Sequence, residues 1–571
     1  MTDRSATGRA WWWPIALVAI GAVAAALRFV GLSWGLPFAL HPDEPIILER
    51  ALRMSWSNLD PGFYIYPGFF IYQVFLLGRA VLAMGGEYAG ALFAARLLTA
   101  TYGLSTVLFV YLLGARLGGR RLGAMAALLV ALSGPLALHA HYAVTDTPAT
   151  ALATAAVWLS VRGWQRRSFA VLAAAAGLAG LAVSTKYSVA PVCLVPWLAA
   201  MAMAAEARTS LAARAGRTAA LAAVALATFV ATSPYTVLSW PDFLADMGLE
   251  SRLQAQARAG MHVAPLESPA LVDRGLVGNA LALYEDLGAA ALVLALGSLL
   301  VLIASLPGAL RALRGGHREQ RAPALHVADA SETEPDGGAG PAIRSGAAPS
   351  PTRASHPATF PTDIIGGVLV ALWLLAFYAF MAPSAIAGQR YMLPIHPGMM
   401  LLAAIAIEGM MRTYAARGHR RVAWAGGALL LVLAAAPSFG AAESTRLLAR
   451  RDNRLVARDW MLDNLPPRSH IAREFYAPMF DNDDPFRFSQ PFSLTEHPLE
   501  TYCKERVDYL VLSSLNAERY FADETDRFAE QRTWYERLDT RTRVVQRIGR
   551  IGDLPLHHPE IEIRRLFCNS D

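Results

Sequence analysis

The chain has 571 residues, 54% hydrophobic and only 17% charged, with a mean hydropathy of +0.33. Soluble proteins carry about 25% charged residues, so this composition excludes a soluble enzyme, a disordered chain and a nucleic-acid binder, and places most of the length in lipid. The formal net charge of +6 would suit nucleic acid, but its distribution is a topology signal, and three cysteines are too few for a disulfide scaffold.

Apolar runs occur at about 14–34, 90–114, 122–140, 148–162, 169–184, 188–204, 218–234, 287–307, 363–382, 392–410 and 422–440. Each is near the length a helix needs to cross a bilayer. Arg28 and Trp34 close the first run as a retained span rather than a cleaved signal. With the N-terminus inside, the inner loops collect Arg4 and Arg9, then Arg116, Arg120 and Arg121, Arg162 to Arg167, Arg208 to Arg217, and Arg412 to Arg421. The short outer loops hold only Lys186 and Arg390, a strong positive-inside bias. Residues 66–84 are apolar enough to span, but counting them would invert every later arginine loop. They are therefore expected to form a juxtamembrane or re-entrant helix on the outer face.

The expected fold is mainly α: a polytopic membrane protein of about 11 transmembrane helices plus juxtamembrane helices, with a small C-terminal soluble α/β domain. Its parts are a membrane module over 1–310 with outer loops 35–89 and 235–286, a disordered cytoplasmic linker over 311–360, C-terminal transmembrane helices over 361–440, and an extracytoplasmic domain over 441–571. In that last part Arg454 to Leu465 reads as a helix, and Val507–Leu512 and Ile561–Leu566 read as strands. Cys503 and Cys568 share a disulfide-permissive compartment, and their pairing is left open; Cys193 lies within a span.

The candidate chemistry lies on the outer face. The first loop opens with His41-Pro-Asp-Glu-Pro45. Pro45 favours a first helical turn, so Asp43 and Glu44 feel the positive end of a helix dipole and stay ionised, as a base must. An acidic surface cap would use the same residues. The second loop carries His139-Ala-His141 and Thr145-Asp-Thr-Pro148; Asp146 precedes a span and is either functional or part of an N-cap. The two histidines, two apart, fall on different faces of a helix and make a poor metal pair. Lys186 is one of two lysines in the chain; it is either a snorkelling anchor or a phosphate-binding point charge. Arg390 stands on the side where arginine is otherwise scarce. It suits a bidentate grip on a lipid-linked phosphate, or an interfacial anchor beside Tyr391. Arg28 and Arg96 could aid phosphate binding or pair with acids.

These loops together resemble the GT-C glycosyltransferases, in particular the subgroup related to dolichyl-phosphate-mannose protein mannosyltransferases and the lipid A aminoarabinose transferase. The likeness rests on Asp43-Glu44, Tyr66-Pro-Gly-Phe-Phe70, Asp146-Thr-Pro148, Thr185-Lys-Tyr187 and Arg390-Tyr-Met-Leu-Pro394, and covers roughly residues 14–410. It implies a hexosyl or pentosyl transferase that moves a sugar from a polyprenyl phosphate to an acceptor (lipid, glycan or protein) on the outer face, with inversion. Asp43 and Glu44 would be catalytic, Arg390 and Lys186 would bind the donor phosphate, and Asp146, His141, Tyr66 and Tyr391 would support the acceptor or the site. No cofactor is implied, and a divalent cation is left open. The implied partners are the donor lipid, the bilayer and an extracytoplasmic acceptor, without nucleic acid. The setting is a bacterial inner (plasma) membrane with the N-terminus cytoplasmic. Tyr66 stands where the aminoarabinose transferase has a lysine, and no β-trefoil module is evident, both of which argue against protein O-mannosylation. The alternatives are a membrane transporter or lipid flippase, disfavoured by charges at span ends rather than midplane, and a receptor-like scaffold.

Overall fold

A computed structural model describes residues 12–207, 209–258, 275–315, 363–384, 389–522, 526–552, 554 and 556–568. The membrane module opens with α1 (Trp12–Phe29), α2 (Asp43–Arg53), α3 (Gly68–Ala83) and α4 (Tyr88–Gly118). It continues through α5 (Arg120–Leu132), α6 (Gly134–Leu138), α7 (Asp146–Arg166), α8 (Phe169–Val183), α9 (Leu194–Glu206) and α10 (Leu211–Thr232). Then come α11 (Tyr235–Leu238), α12 (Trp240–Arg258), α13 (Gly275–Gly315), α14 (Ile364–Met381), α15 (Gln389–Met392), α16 (His396–Ala416) and α17 (Arg420–Ala435).

Every apolar run falls on helix, but by length and composition six helices can cross a membrane among the described residues, or eight if each bent pair is one span. The shortfall from eleven has local causes. The helices α1 and α8 are short, and α7 carries buried Thr150, Thr154 and Ser160, whose hydroxyls bond carbonyls four residues back. Residues 68–83 form a 16-residue apolar helix, in the same short class as α1 and α8. Part of the expected outer loop 235–286 is instead the start of α13, which kinks at Gly288 (φ 71°); a Cβ there would meet Pro437 at 2.5 Å. The expected linker begins as the last turn of α13 (residues 311–315), and its remainder lies outside the described residues.

Apolar helix interiors leave polar groups little choice of partner, because lipid offers none. The break between α5 and α6 frees two carbonyls, and buried Arg28 donates to both, Val130 and Ala131, at 3.0 Å. Arg28 is thus a brace rather than a phosphate ligand.

The C-terminal part adds α18 (Phe439–Leu448), α19 (Asn453–Asn464), α20 (Leu499–Lys504), α21 (Ser514–Phe521), α22 (Ala529–Glu536) and α23 (Leu538–Arg541). Its strands are β1 (His470–Arg473), β2 (Arg487–Ser489), β3 (Tyr509–Ser513), β4 (Thr542–Ile548) and β5 (Ile561–Leu566), in the order β2-β1-β3-β5-β4. Strands β2, β1 and β3 run parallel, and β5 is antiparallel to β3 and β4. The five residues of β3 are all buried, as a central strand covered on both faces requires. Asp452 caps α19 by accepting the Arg454 N–H at 3.0 Å. Cys503 and Cys568 form a disulfide.

This part is docked on the segments that lead into α2 and α7. The Trp34 indole donates to Asp452 Oδ2 at 3.0 Å, Arg454 pairs with Asp452 at 2.8 Å, and Tyr142 shares a 2.6 Å hydrogen bond with His557. Gly31 (φ +96°) allows the close approach, since a Cβ there would lie 2.8 Å from that of Leu448. These contacts fix the sheet above the loops that carry the candidate chemistry.

Candidate active site

Asp43 is the first residue of α2, and Pro45 sits in the first turn, where a missing N–H costs no helical bond. The Asp43 N–H donates to His41 Nδ1 at 3.2 Å, so the histidine ring caps the helix. Across 347 residues of sequence, Arg390 of α15 donates Nη1 to Asp43 Oδ2 at 2.5 Å. Its Nη2 donates to the Tyr391 phenol at 3.1 Å, and the guanidinium lies 5.0 Å from the Tyr391 ring centroid. Lys186 Nζ lies 5.1 Å from the same centroid and forms an ion pair with Asp146, the first residue of α7. Tyr391 therefore bridges two acid–base pairs, Asp43–Arg390 and Asp146–Lys186. Tyr66, from the segment before α3, lies in the field of Asp43, Arg390, Asp146 and Tyr391.

The cluster is mostly dry yet reachable: the side chains of Asp43 and Arg390 are 15% and 20% exposed, and those of Asp146 and Lys186 are 5% and 12%. Burial pushes the Asp43 carboxyl up, but the charge and the hydrogen bond of the Arg390 guanidinium oppose it, and the group is held below the usual carboxylate range. Burial pushes the His41 imidazole down, keeping it neutral, and pushes the Tyr66 phenol well up, aided by Asp43. The N-cap alternative for Asp146 is not realised by its neighbours, because the hydroxyls of Thr145 and Thr147 are buried without a partner among the described residues.

Two of the expected site residues point elsewhere. Glu44 is fully buried on the opposite side of the α2 turn. It accepts both arms of Arg96 (2.7 and 2.6 Å) and the Ala143 N–H (2.9 Å). Arg96 also donates to the Leu32 and Trp34 carbonyls. Adjacent helical residues point about 100° apart, so one carboxylate enters the cluster and the other the core. The ring nitrogens of His141 lie 2.9 Å from the carbonyl oxygens of Ala137 and Val30, one of which accepts its N–H, so the ring is turned into the helix packing.

Sequence reasoning missed His41 as the cap of α2, although it stood in the quoted motif. It also missed Tyr476, from the turn after β1. This phenol is buried, has no partner among the described residues, and lies in the field of Asp43, Arg390 and Arg519. No sequence signal marks Tyr476; docking of the C-terminal domain alone brings it there.

The donor set does not fit a metal ion. Among the described residues no three His, Cys, Asp or Glu side chains converge for one, and Asp43 and Asp146 each already face a protein cation.

A family model described as dolichyl-phosphate-mannose-protein mannosyltransferase matches residues 78–237, which include Asp146 and Lys186 but neither Asp43 nor Arg390. No curated protein matches by sequence. Among solved structures, the oligosaccharyltransferase AglB of Archaeoglobus fulgidus aligns with a TM-score of 0.50 at 13% identity, covering 90% of this chain and 70% of its own. Its apo form gives 0.50 at 14%, over 90% and 71%. ArnT from Cupriavidus metallidurans aligns at 0.46 and 14% identity over 96% and 97%. The chain shares the fold of these oligosaccharyltransferase structures and, over residues 78–237, is similar to the family described as dolichyl-phosphate-mannose-protein mannosyltransferase.

Proposed function

We propose that the protein transfers a sugar from a polyprenyl-phosphate donor to an acceptor on the extracytoplasmic face of a bacterial inner membrane, with inversion at the anomeric carbon. The observation that carries this reading is the convergence of Asp43–Arg390 and Asp146–Lys186 on Tyr391, from loops far apart in sequence. A relative of the same fold, AglB, is described in complex with a dolichol-phosphate, in keeping with such a donor. About eleven spans with the N-terminus inside would put all four charges, and the C-terminal domain, on the outer side.

Asp43 is the base. In the resting arrangement Arg390 holds it ionised but weakly basic. A donor phosphate drawn between Arg390 and Lys186 takes over part of the Arg390 charge, and the Asp43 carboxylate becomes more basic. It then accepts the proton of the acceptor O–H or N–H. The freed electron pair forms the new bond to the anomeric carbon from the face opposite the phosphate. The carbon–phosphate-oxygen bond breaks, and its electrons leave on the lipid phosphate, whose charge the two cations oppose. Glu44 acts as a positioning residue through Arg96, and Tyr391 keeps the two cations at a fixed spacing.

Lipid extracts test the reading. Cells lacking the chain should accumulate a polyprenyl-phosphate sugar, and the wild-type chain, but not Asp43→Asn, should clear it. No accumulation would remove the donor assignment, whereas clearance by Asp43→Asn would remove the base assignment alone.

A further inference from the structure

The C-terminal part holds a buried cation that makes no ion pair among the described residues. Arg519 of α21 is 7% exposed, and its Nε and Nη2 have no hydrogen-bond partner among the described residues. Its contacts are aromatic: the guanidinium lies 4.9 Å from the Phe492 ring centroid and 6.0 Å from that of Tyr520. An unpaired buried guanidinium is costly, and native proteins rarely keep one without use. The acid within its field, Glu474, is already committed. It accepts the Ser513 N–H at 2.8 Å and the Tyr535 hydroxyl, and burial pushes its carboxyl up to about 7.

The placement fits ligand binding. Glu474 and Tyr476 follow β1, Ser513 ends β3, and α21 follows at once, so the group occupies the carboxyl edge of the parallel strands. Open α/β sheets bind ligands at that edge. The Tyr476 phenol, also buried and without a partner among the described residues, has its ring 6.4 Å from that of Phe492, the ring Arg519 lies over, and it is within the field of Asp43 and Arg390. Next to it, Phe475 and Phe492 leave 40% and 38% of their surfaces exposed, with centroids 5.6 Å apart. Such a platform suits the apolar face of a sugar ring.

We propose that Arg519 and Tyr476 form an anion subsite on the C-terminal domain, which holds a phosphate or carboxylate of a saccharide acceptor while Phe475 and Phe492 stack on its ring. The proposal rests on the transferase reading for the word acceptor; the subsite itself is testable without transfer. Arg519 supplies the fork that a planar or tetrahedral oxyanion needs, and Tyr476 supplies one more donor on the side facing Asp43.

Saturation-transfer NMR on the full-length protein in nanodiscs would use three probes: glucose 1-phosphate, glucuronate and neutral methyl glucoside. Wild type should bind at least one anionic probe at least tenfold more tightly than the neutral one, and the tighter anion names the acceptor group. Arg519→Gln should lose that tenfold preference, Arg519→Lys should keep part of it, and Tyr476→Phe should weaken it severalfold. Arg446→Ala, at an exposed arginine of α18 outside both sites, should leave it intact. Thermal unfolding of Arg519→Gln should match or exceed wild type, since the substitution removes an unpaired buried charge. Equal binding by wild type and Arg519→Gln, or loss of the preference in Arg446→Ala, would overturn the subsite. Should Arg519→Gln fail to fold, full binding by Arg519→Lys together with Tyr476→Phe would overturn it instead. Donor binding by polyprenyl phosphate, measured in the same variants, fails separately if the transferase reading is the one at fault.

Discussion

Glu44→Gln separates the roles of two adjacent carboxylates. Glu44 has no exposed surface, and it neutralises Arg96, which is equally buried. Glutamine keeps the shape but leaves the Arg96 charge uncompensated, and removing one partner of a buried pair costs about 3–5 kcal/mol. Because Arg96 also bonds the Leu32 and Trp34 carbonyls, the loss should centre on the segment that leads into α2. Hydrogen exchange of the α2 amides, in the full-length protein in detergent, should speed up by about 10²- to 10⁴-fold if their opening follows that free energy. Asp43→Asn should change the same exchange less, because Arg390 keeps the Tyr391 hydroxyl and some solvent contact when Asp43 is neutralised, whereas Arg96 has no solvent at all. The double variant Glu44→Gln, Arg96→Gln should lose less than Glu44→Gln alone, since no lone buried charge remains. Wild-type protection in Glu44→Gln with transfer abolished, together with retained transfer in Asp43→Asn, would exchange the two roles and refute the assignment.

Arg390→Lys keeps the charge but loses the fork that reaches Asp43 and Tyr391 together; polyprenyl-phosphate affinity should fall about tenfold, and unchanged affinity would remove Arg390 from the donor clamp. Cys503→Ser opens a loop of 65 residues, which corresponds to about 4 kcal/mol of chain entropy; denaturant unfolding of the C-terminal sheet, followed by Trp460 and Trp534 fluorescence, measures the loss. Glu474 gives a pH signature. Its carboxyl rises from 4.5 to about 7 on folding because burial disfavours the anion, so the folded state holds the proton more tightly. Its contribution is complete below pH 4.5 and is lost as pH rises towards 7, by about 3 kcal/mol. Glu474→Gln should flatten that part of the stability profile, as read by exchange of the β1 and β3 amides between pH 5 and 8.

Charge placement made much of the site legible. Asp43, Asp146, Lys186 and Arg390 stood out because ionisable groups at span ends are few, and the structure brings all four to Tyr391. The difference between Asp43 and Glu44 was not legible. It depends on which way α2 turns its first residues, and Arg96, 52 residues away, decides that. His141 misled for a related reason: a histidine beside a span end looks functional until its ring turns into the helix packing, beside the carbonyls of Val30 and Ala137. In the C-terminal part, alternation located β5 to the residue and β3 within two. Alternation says which residues are buried, not which sheet edge meets another domain, so Tyr476 and Arg519 carried no sequence signal.

The pairing of every acid in the cluster with a cation also bears on control of the reaction. Two bare carboxylates would repel a lipid phosphate, and two bare cations would bind any anion. Cross-paired, the four charges sum to zero, and neither a base nor an anion clamp is fully available until a phosphate competes for Arg390 and Lys186. The unequal chemistry of the two cations suits that exchange. The Arg390 fork can hold Asp43 and Tyr391 while turning one edge to an incoming phosphate. Lys186 offers a compact charge that can shift between Asp146 and the phosphate by rotation of a flexible stem. On this argument Lys186→Arg is not conservative. A guanidinium would lock bidentately onto Asp146, so donor affinity should fall although the charge is kept. Equal donor affinity in Lys186→Arg and wild type would show that charge alone, and not its mobility, is what this position supplies.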